Sequence, residues 1–207
     1  MNDIKVVVFD CDGVMFDTVD ANRAYYDQIL AHFGKPAMTP EQFAYAHMHT
    51  VNESIAKLFE DEAAIESAHA YRQQANYEAF IPYMKIEPYL KPLLEKLRAA
   101  AYHTAIATNR TDSMAWVLTE FDLGDYFDLV LTALDVKHPK PSPDQLLRVL
   151  EHFEVSAGQV LYVGDSLVDE LAAKAAGVPL IAYDNPDLSA DFHISSLKET
   201  ESILTDI

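Results

Sequence analysis

Five short apolar runs, rich in β-branched residues, recur along this chain and constrain its fold more than any other feature. They cover residues 4–9, 103–107, 129–131, 160–163 and 180–182. Their hydrophobic residues are continuous rather than alternating, which is typical of strands covered on both faces, as in a parallel sheet. Three of the runs lead directly into polar residues: Asp10 after the first, Thr108 and Asn109 after the second, and Gly164 and Asp165 after the fourth.

Helical patterns separate these runs and predict an alternation of strands and helices. They cover residues 88–100, 111–121, 142–153 and 166–176. Thr111 and Ser142 are predicted N-caps, Pro143 the first residue of its helix, and Gly177 a C-cap. This alternation favours a doubly wound α/β fold with right-handed crossovers, in which ligands bind beyond the carboxyl ends of the strands. The polar residues that follow the strands are expected to meet at this edge.

Residues 17–87 interrupt the alternation, because they carry helical patterns and no convincing strand. Helices are predicted at residues 20–33, ended by Gly34, at 52–59 and at 62–80, and Thr39-Pro40-Glu41-Gln42 is a predicted capping box. We expect this segment to form a helical cap, inserted after the first strand and covering the carboxyl edge of the sheet. The α/β core would then comprise residues 1–16 and 88–207.

Charge and composition restrict the partners. The 207 residues contain 15 Lys and Arg against 33 Asp and Glu, a formal net charge of −18. Such a surface repels nucleic acid and anionic lipid, so neither is expected as a partner. An anionic substrate would need a local positive charge, for which a bound divalent cation is the obvious candidate.

The single cysteine, Cys11, excludes an internal disulfide, and no apolar stretch approaches the roughly 20 residues that span a bilayer. A cytoplasmic monomer or homodimer is predicted.

The segment Asp10-Cys11-Asp12-Gly13 can supply two of the groups that phosphoryl transfer requires, a nucleophile and a proton donor. Asp10 ends the first strand, and Asp12 can point back over the same site from the loop, where Gly13 permits a sharp turn. Two carboxylates in different environments can divide the roles of nucleophile and acid/base. The alternative for such a short pattern is a turn in which the Asp side chains cap the next element.

Three other segments offer complementary groups. Thr108 and Asn109 can hydrogen-bond a phosphoryl oxygen, although a strand-to-helix cap is the alternative for both. Lys140 lies in the segment Lys140-Pro141-Ser142-Pro143-Asp144, whose two prolines favour a fixed ammonium beside the nucleophile and phosphate rather than a solvated surface lysine. Asp165 is suited to a hard cation with oxygen ligands, and Asp169 either binds that cation or supports a residue that does.

Four motifs, taken in order, resemble those of the haloacid dehalogenase (HAD) superfamily of phosphohydrolases, and the resemblance covers nearly the whole chain. The motifs are Asp-x-Asp-Gly, Thr-Asn, Lys-Pro-x-Pro-Asp and Gly-Asp-Ser-x-x-Asp. The resemblance implies a HAD-like, Rossmannoid core, an aspartyl-phosphate intermediate on Asp10, and a mobile helical cap. It also implies Mg²⁺ held by Asp10, the backbone carbonyl of Asp12 and Asp165. Asp12 argues against the dehalogenase branch, which lacks the second acid. Residues 191–194 resemble the family's last short strand, and Ser196 would open the terminal helix.

Within this superfamily, the chain is most similar to phosphoglycolate phosphatase-like and β-phosphoglucomutase-like members. The mutase-like members typically place a His shortly after the first motif and an Arg in the cap loop, and residues 17–22 and 47–52 match neither. The sequence therefore predicts a Mg²⁺-dependent phosphatase acting on a small phosphorylated metabolite. A phosphomutase using the same residues is the first alternative, and a catalytically silent binding module on this fold is the second.

The candidate substrate-binding residues in the cap are His47 and His49, whose alternation would place both imidazoles on one side of an extended segment. They could hydrogen-bond the leaving group of the substrate, or they could simply cap or pack a helix. Arg23, near the first cap boundary, could reach a second anionic group or be an exposed helical Arg. Arg110 directly follows Asn109 and is expected close to the phosphate.

Overall fold

The computed structural model describes residues 4–74 and 77–206. The strands are β1 Val6–Phe9, β2 Phe16–Asp17, β3 Lys85–Ile86, β4 His103–Ala107, β5 Leu129–Leu131, β6 Val160–Gly164, β7 Leu180–Tyr183 and β8 Phe192–Ile194. Six of them form a sheet in the order β5-β4-β1-β6-β7-β8, and every neighbouring pair is parallel. The structure therefore confirms the predicted parallel sheet, including its short last strand.

The central strand, β1, explains why the apolar runs are continuous. Its four residues have no exposed surface, because their side chains alternate between two hydrophobic clusters, with Val7 and Phe9 in one and Val6 and Val8 in the other. Both faces are thus covered, as expected for a parallel sheet. Phe9 is in register with Ile106 of β4 and Val163 of β6, so the polar residues that follow these strands meet at one edge.

Nine α-helices are found in the described part of the chain. They are α1 Val19–His32, α2 Pro40–Met48, α3 Val51–Leu58, α4 Glu62–Gln74, α5 Leu90–Ala99, α6 Met114–Glu120, α7 Asp144–Phe153, α8 Leu167–Ala176 and α9 Thr200–Asp206. The capping box at Thr39 is present, with Gln42 as its partner, and a second one at Thr50 opens α3. Gly177 caps α8 with a φ of 68°, as predicted. None of the described helices is long and apolar enough to cross a membrane.

Helices α1–α4 lie between β1 and β4 in the chain, where the sequence predicts a cap, but this segment is not free of strands. β2 and β3 pair antiparallel at its two ends, with Phe16 opposite Ile86 and Asp17 opposite Lys85. At two residues each, they are too short to give an alternating pattern in the sequence. The boundaries 17–87 for a separately moving cap stay a prediction.

The predicted helix at 62–80 is also corrected by the structure. α4 ends at Gln74, and a 3₁₀ helix covers Tyr77–Tyr83, while residues 75–76 lie outside the described residues. Pro82 lies inside the 3₁₀ helix, where its missing N–H cannot serve a continuing α-helix.

Two predicted N-caps are wrong. The Ser142 hydroxyl donates to the Asp144 carboxylate at 2.6 Å, and α7 begins at Asp144 with Pro143 as its N-cap. The Thr111 hydroxyl donates to Asp112, and α6 begins only at Met114. In both cases a neighbouring carboxylate accepts the hydrogen bond of the hydroxyl, and no side-chain hydrogen bond caps either helix.

Candidate active site

Asp10 directly follows β1, and its carboxylate contacts the ammonium of Lys140. The Lys140 Nζ–Asp10 Oδ1 distance is 2.9 Å, and Nζ also donates to Asp169 Oδ1 at 2.7 Å and to the Tyr162 hydroxyl at 2.9 Å. The side chain of Lys140 is only 1% exposed, so these three acceptors satisfy its three N–H donors. Burial lowers the pKa of Lys140, but Asp10 and Asp169 offset this effect and leave the pKa raised, so the ammonium stays charged.

The contact with Lys140 does not fully compensate the negative charge of Asp10. Burial, the largest cause, raises its pKa, and Asp169 and Asp12 raise it further, while Lys140 lowers it; the resulting pKa is about 7. The pKa of Asp10 is raised even beside the Lys140 ammonium, so the positive charge around it does not offset the cost of burial. A further cation beside Asp10 would restore the ionised form that a nucleophile requires.

Carboxylate oxygens of Asp10, Asp165 and Asp169 lie within 4.8 Å of one another, the spacing of a metal site. Burial, Asp169 and Asp10 raise the pKa of Asp165 well above its usual range, and no donor among the described residues hydrogen-bonds its side chain. The oxygens of Asp169 already accept four hydrogen bonds, from Lys140, Tyr162 and Ser166. The hard oxygen donors of Asp10 and Asp165 therefore fit a divalent cation, whereas Asp169 orients Lys140.

Gly13 makes the approach of Asp165 possible. Its φ is 78°, a conformation that favours glycine, and a Cβ at this position would overlap the Asp165 carboxylate. The glycine of the first motif therefore provides both the turn after Asp10 and the space for the acid at the end of β6.

Asp12 forms a bidentate ion pair with Arg110. Arg110 Nε donates to Asp12 Oδ2 at 2.7 Å and Nη2 to Oδ1 at 2.8 Å, and the two side chains are 6% and 15% exposed. Burial raises the pKa of Asp12, but the Arg110 guanidinium more than offsets this and lowers it to about 2. Sequence analysis placed Arg110 at the phosphate and did not identify this ion pair. Its position after Thr108 and Asn109, at the end of the strand beside β1, was the available signal.

A ring of hydrogen bonds joins this ion pair to the helical segment. Arg110 Nη2 donates to the Tyr77 hydroxyl at 3.0 Å, and this hydroxyl donates to Asn22 Oδ1 at 2.7 Å. Asn22 Nδ2 donates to Asp12 Oδ1 at 3.1 Å, which closes the ring, and lies 3.1 Å from His47 Nδ1. The orientation of Asp12 thus depends on Asn22 and Tyr77, which the sequence did not indicate.

Asn109 holds the Lys140 loop. Its Oδ1 accepts from Lys140 N at 3.0 Å, and its Nδ2 donates to Lys140 O at 2.9 Å and to Met48 O at 3.2 Å. These contacts occupy the side-chain amide that was expected to bind a phosphoryl oxygen. The Thr108 hydroxyl accepts from Arg110 N at 3.2 Å and lines the cavity, so its proton can reach a ligand there.

A cavity of about 80 Å³ separates these groups from the helical segment. Its lining includes Asp10, Asp12 and Asp165 below and His47, His49 and Tyr77 above, together with Arg72, which sequence analysis missed.

The predicted histidines do reach the cavity, but not as part of an extended segment. His47 lies in the last turn of α2, and His49 is its C-cap, stacked on the Tyr45 ring at 3.9 Å and bonded through Nδ1 to Tyr45 O. Arg23 is not among the cavity's lining residues, because its guanidinium stacks on the Phe43 ring at 4.1 Å.

Comparisons with known proteins agree with this geometry. A sequence model of haloacid dehalogenase-like hydrolases matches residues 7–183. The phosphoglycolate phosphatases of Vibrio parahaemolyticus and Pseudomonas fluorescens are 29% and 31% identical, over 97% and 86% of this chain and 97% and 68% of theirs. A crystal structure of a HAD-superfamily hydrolase of subfamily IA from Geobacter sulfurreducens is 39% identical, covers 97% of this chain and 96% of its own, and has a TM-score of 0.79.

These matches confirm the predicted family, the fold class and the class of enzyme, a phosphoric monoester hydrolase. The chain belongs to the haloacid dehalogenase-like hydrolase family.

Proposed function

We propose that the protein is a Mg²⁺-dependent phosphatase that hydrolyses a small phosphorylated metabolite through an aspartyl-phosphate on Asp10. The contact of Asp10 with the buried ammonium of Lys140, at 2.9 Å, carries this proposal. A nucleophilic carboxylate is uncommon unless positive charge lies next to it, and phosphoryl transfer also needs that charge to let two anions approach.

In the first half-reaction, a carboxylate oxygen of Asp10 attacks phosphorus and the bond from phosphorus to the leaving oxygen breaks. Lys140 reduces the repulsion between Asp10 and the phosphate, and the Thr108 hydroxyl donates to a phosphoryl oxygen. Asp12 gives a proton to the leaving oxygen. Because Arg110 lowers the pKa of Asp12 to about 2, this donation requires the ion pair to loosen.

In the second half-reaction, water attacks the phosphorus of the aspartyl-phosphate, Asp12 accepts the proton of that water, and inorganic phosphate leaves as Asp10 is regenerated. The ion pair with Arg110 suits this step, because it maintains Asp12, which lines the cavity, as a carboxylate.

Asp10, Asp165 and the backbone carbonyl of Asp12 are the groups that would hold Mg²⁺, and Asp169 would support the site through Lys140. When bound, the cation supplies positive charge to the nucleophile and to the phosphoryl oxygens. The raised pKa values of Asp10 and Asp165 support this assignment, since both carboxylates lack a sufficient counter-charge among the described residues.

Phosphoglycolate is the first candidate substrate. Relatives from two bacteria bear the name phosphoglycolate phosphatase, and the small cavity suits a leaving group of a few atoms. A phosphomutase would return the phosphoryl group to the organic product, so release of free phosphate separates the two activities.

The test measures phosphate release from phosphoglycolate with Mg²⁺, for the wild type and for Asp10→Asn. Asp187→Asn is the matched control, because it makes the same substitution at an exposed residue. We expect activity to need Mg²⁺, to disappear with EDTA, and to fall by orders of magnitude in Asp10→Asn only. If Asp10→Asn kept a tenth of the wild-type kcat, a cost of only ~1.4 kcal/mol, covalent catalysis by Asp10 would be wrong.

A further inference from the structure

The residues of the proposed reaction line one side of the cavity, its floor, and residues of the helical segment line the opposite side, its wall. Asp10, Asp12 and Asp165 are on the floor, at the carboxyl edge of the sheet, and Tyr25 and Arg72, from α1 and α4, are on the wall. A phosphate ester attacked by Asp10 has its phosphoryl group on the floor. Its leaving group must therefore face the wall.

Two arginines line this cavity, and their surroundings differ. Arg110 donates to both Asp12 oxygens, to the Ser113 hydroxyl and to the Tyr77 hydroxyl, so its guanidinium is enclosed by acceptors. This arginine has little capacity left for a ligand.

Arg72 has weaker acceptors than Arg110, and no buried carboxylate among the described residues pairs with it. Arg72 Nε donates to His69 Nδ1 at 3.3 Å, and the guanidinium also hydrogen-bonds the Tyr25 hydroxyl. Within the described part of the chain, its one ion pair is with Asp112 at 3.7 Å. The Arg72 side chain is 13% exposed and that of Asp112 is 56% exposed. An ion pair of this length with a solvated carboxylate is weak, and a second anion can replace it.

We propose that Arg72 is a specificity-determining residue that binds a carboxylate on the leaving group of the substrate. This inference rests on the proposed phosphatase function and narrows it to short phosphate esters with an anionic leaving group. The planar guanidinium can hold a carboxylate with two parallel hydrogen bonds, which fixes the ester in one orientation above Asp10.

The experiment compares two esters of matched size, phosphoglycolate and 2-hydroxyethyl phosphate, in which a hydroxymethyl group replaces the carboxylate. We expect the wild type to prefer phosphoglycolate. Arg72→Gln should lower kcat/KM for phosphoglycolate by roughly 10- to 100-fold, as expected for losing hydrogen bonds to a charged group. It should change little the hydrolysis of 2-hydroxyethyl phosphate, whose leaving group is uncharged. Arg72→Lys keeps the positive charge but not the planar guanidinium with its two parallel donors, so it should retain part of the preference for phosphoglycolate.

Asp112→Asn is the matched control, because it breaks the same ion pair without removing the guanidinium. It should keep or increase the preference for phosphoglycolate. Equal losses on both esters in Arg72→Gln, or the same selective loss in Asp112→Asn, would overturn the proposal. A wild type without preference between the esters would overturn it and leave the phosphatase function standing, whereas no turnover of either ester would overturn both the proposal and phosphoglycolate as the substrate.

Discussion

The ion pair between Asp12 and Arg110 should contribute measurably to the free energy of unfolding. It holds the pKa of Asp12 at about 2, against an ordinary value of 3.8, which corresponds to about 2 kcal/mol of folding free energy. Because folding lowers the pKa of Asp12, this stabilisation is fully present above the ordinary value of 3.8 that the unfolded chain has. It is lost as the pH falls through the folded value of about 2.

Arg110→Met removes the guanidinium and leaves Asp12 buried without its counter-charge. We expect a loss of about 3–5 kcal/mol near neutral pH, the range for breaking one side of a buried pair. Burial would then raise the pKa of Asp12 above its ordinary value. Below that raised pKa the carboxyl group is neutral, so the difference in stability between wild type and variant should shrink as the pH falls.

Urea denaturation in metal-free buffer, at several pH values between neutral and about 4.5, measures this difference. The control is Asp12→Asn in the Arg110→Met background, which should recover much of the stability near neutral pH because no buried charge remains. A loss below about 1 kcal/mol, or a loss of the same size at every pH, would contradict a buried and charged pair. The physical basis of the low Asp12 pKa would then be wrong.

Two further predictions concern activity. Gly13→Ala should weaken Mg²⁺ activation strongly, because the new Cβ overlaps the Asp165 carboxylate. If the variant reached half of its maximal activity at the same Mg²⁺ concentration as the wild type, this prediction would be wrong. His47→Ala should lower kcat/KM for phosphoglycolate more than His49→Ala does, since His47 contacts Asn22, which bonds Asp12, whereas His49 bonds the backbone of its own helix. Steady-state kinetics of both variants decide this, and a larger loss in the His49 variant would show that His49 has the closer role.

The edge of the sheet where the site lies was predictable because it depends on local patterns. Continuous apolar runs identify buried parallel strands, and the residue after each strand is then placed at one edge by the fold itself. Asp10, Thr108 and Asp165 were found in this way, and the structure places all three at the cavity. The capping box at Thr39 was equally local, since its two partners are only three residues apart.

The roles that changed depend on contacts between distant segments. Asn109 was expected to bind phosphate, yet its amide bonds the Lys140 backbone, 31 residues away. Arg23 was a candidate for a second anionic group of the substrate, with an exposed helical Arg as the alternative, yet it stacks on Phe43 of the next helix. In each case a competing partner came from another element, and spacing in the sequence does not encode the rotamer that reaches it.

The sequence by itself determined the parallel α/β core, the helical segment after its first strand, and the residues that end the strands, because periodicity and capping act over a few neighbouring residues. Only the tertiary structure decided which charges neutralise one another. Arg110 meets Asp12 across 98 residues and Lys140 meets Asp169 across 29, so the ionised state of each group is set by burial and by a partner that packing brings within hydrogen-bond distance. Arg72 is placed at the cavity in the same way, by the packing of the helical segment over the sheet edge.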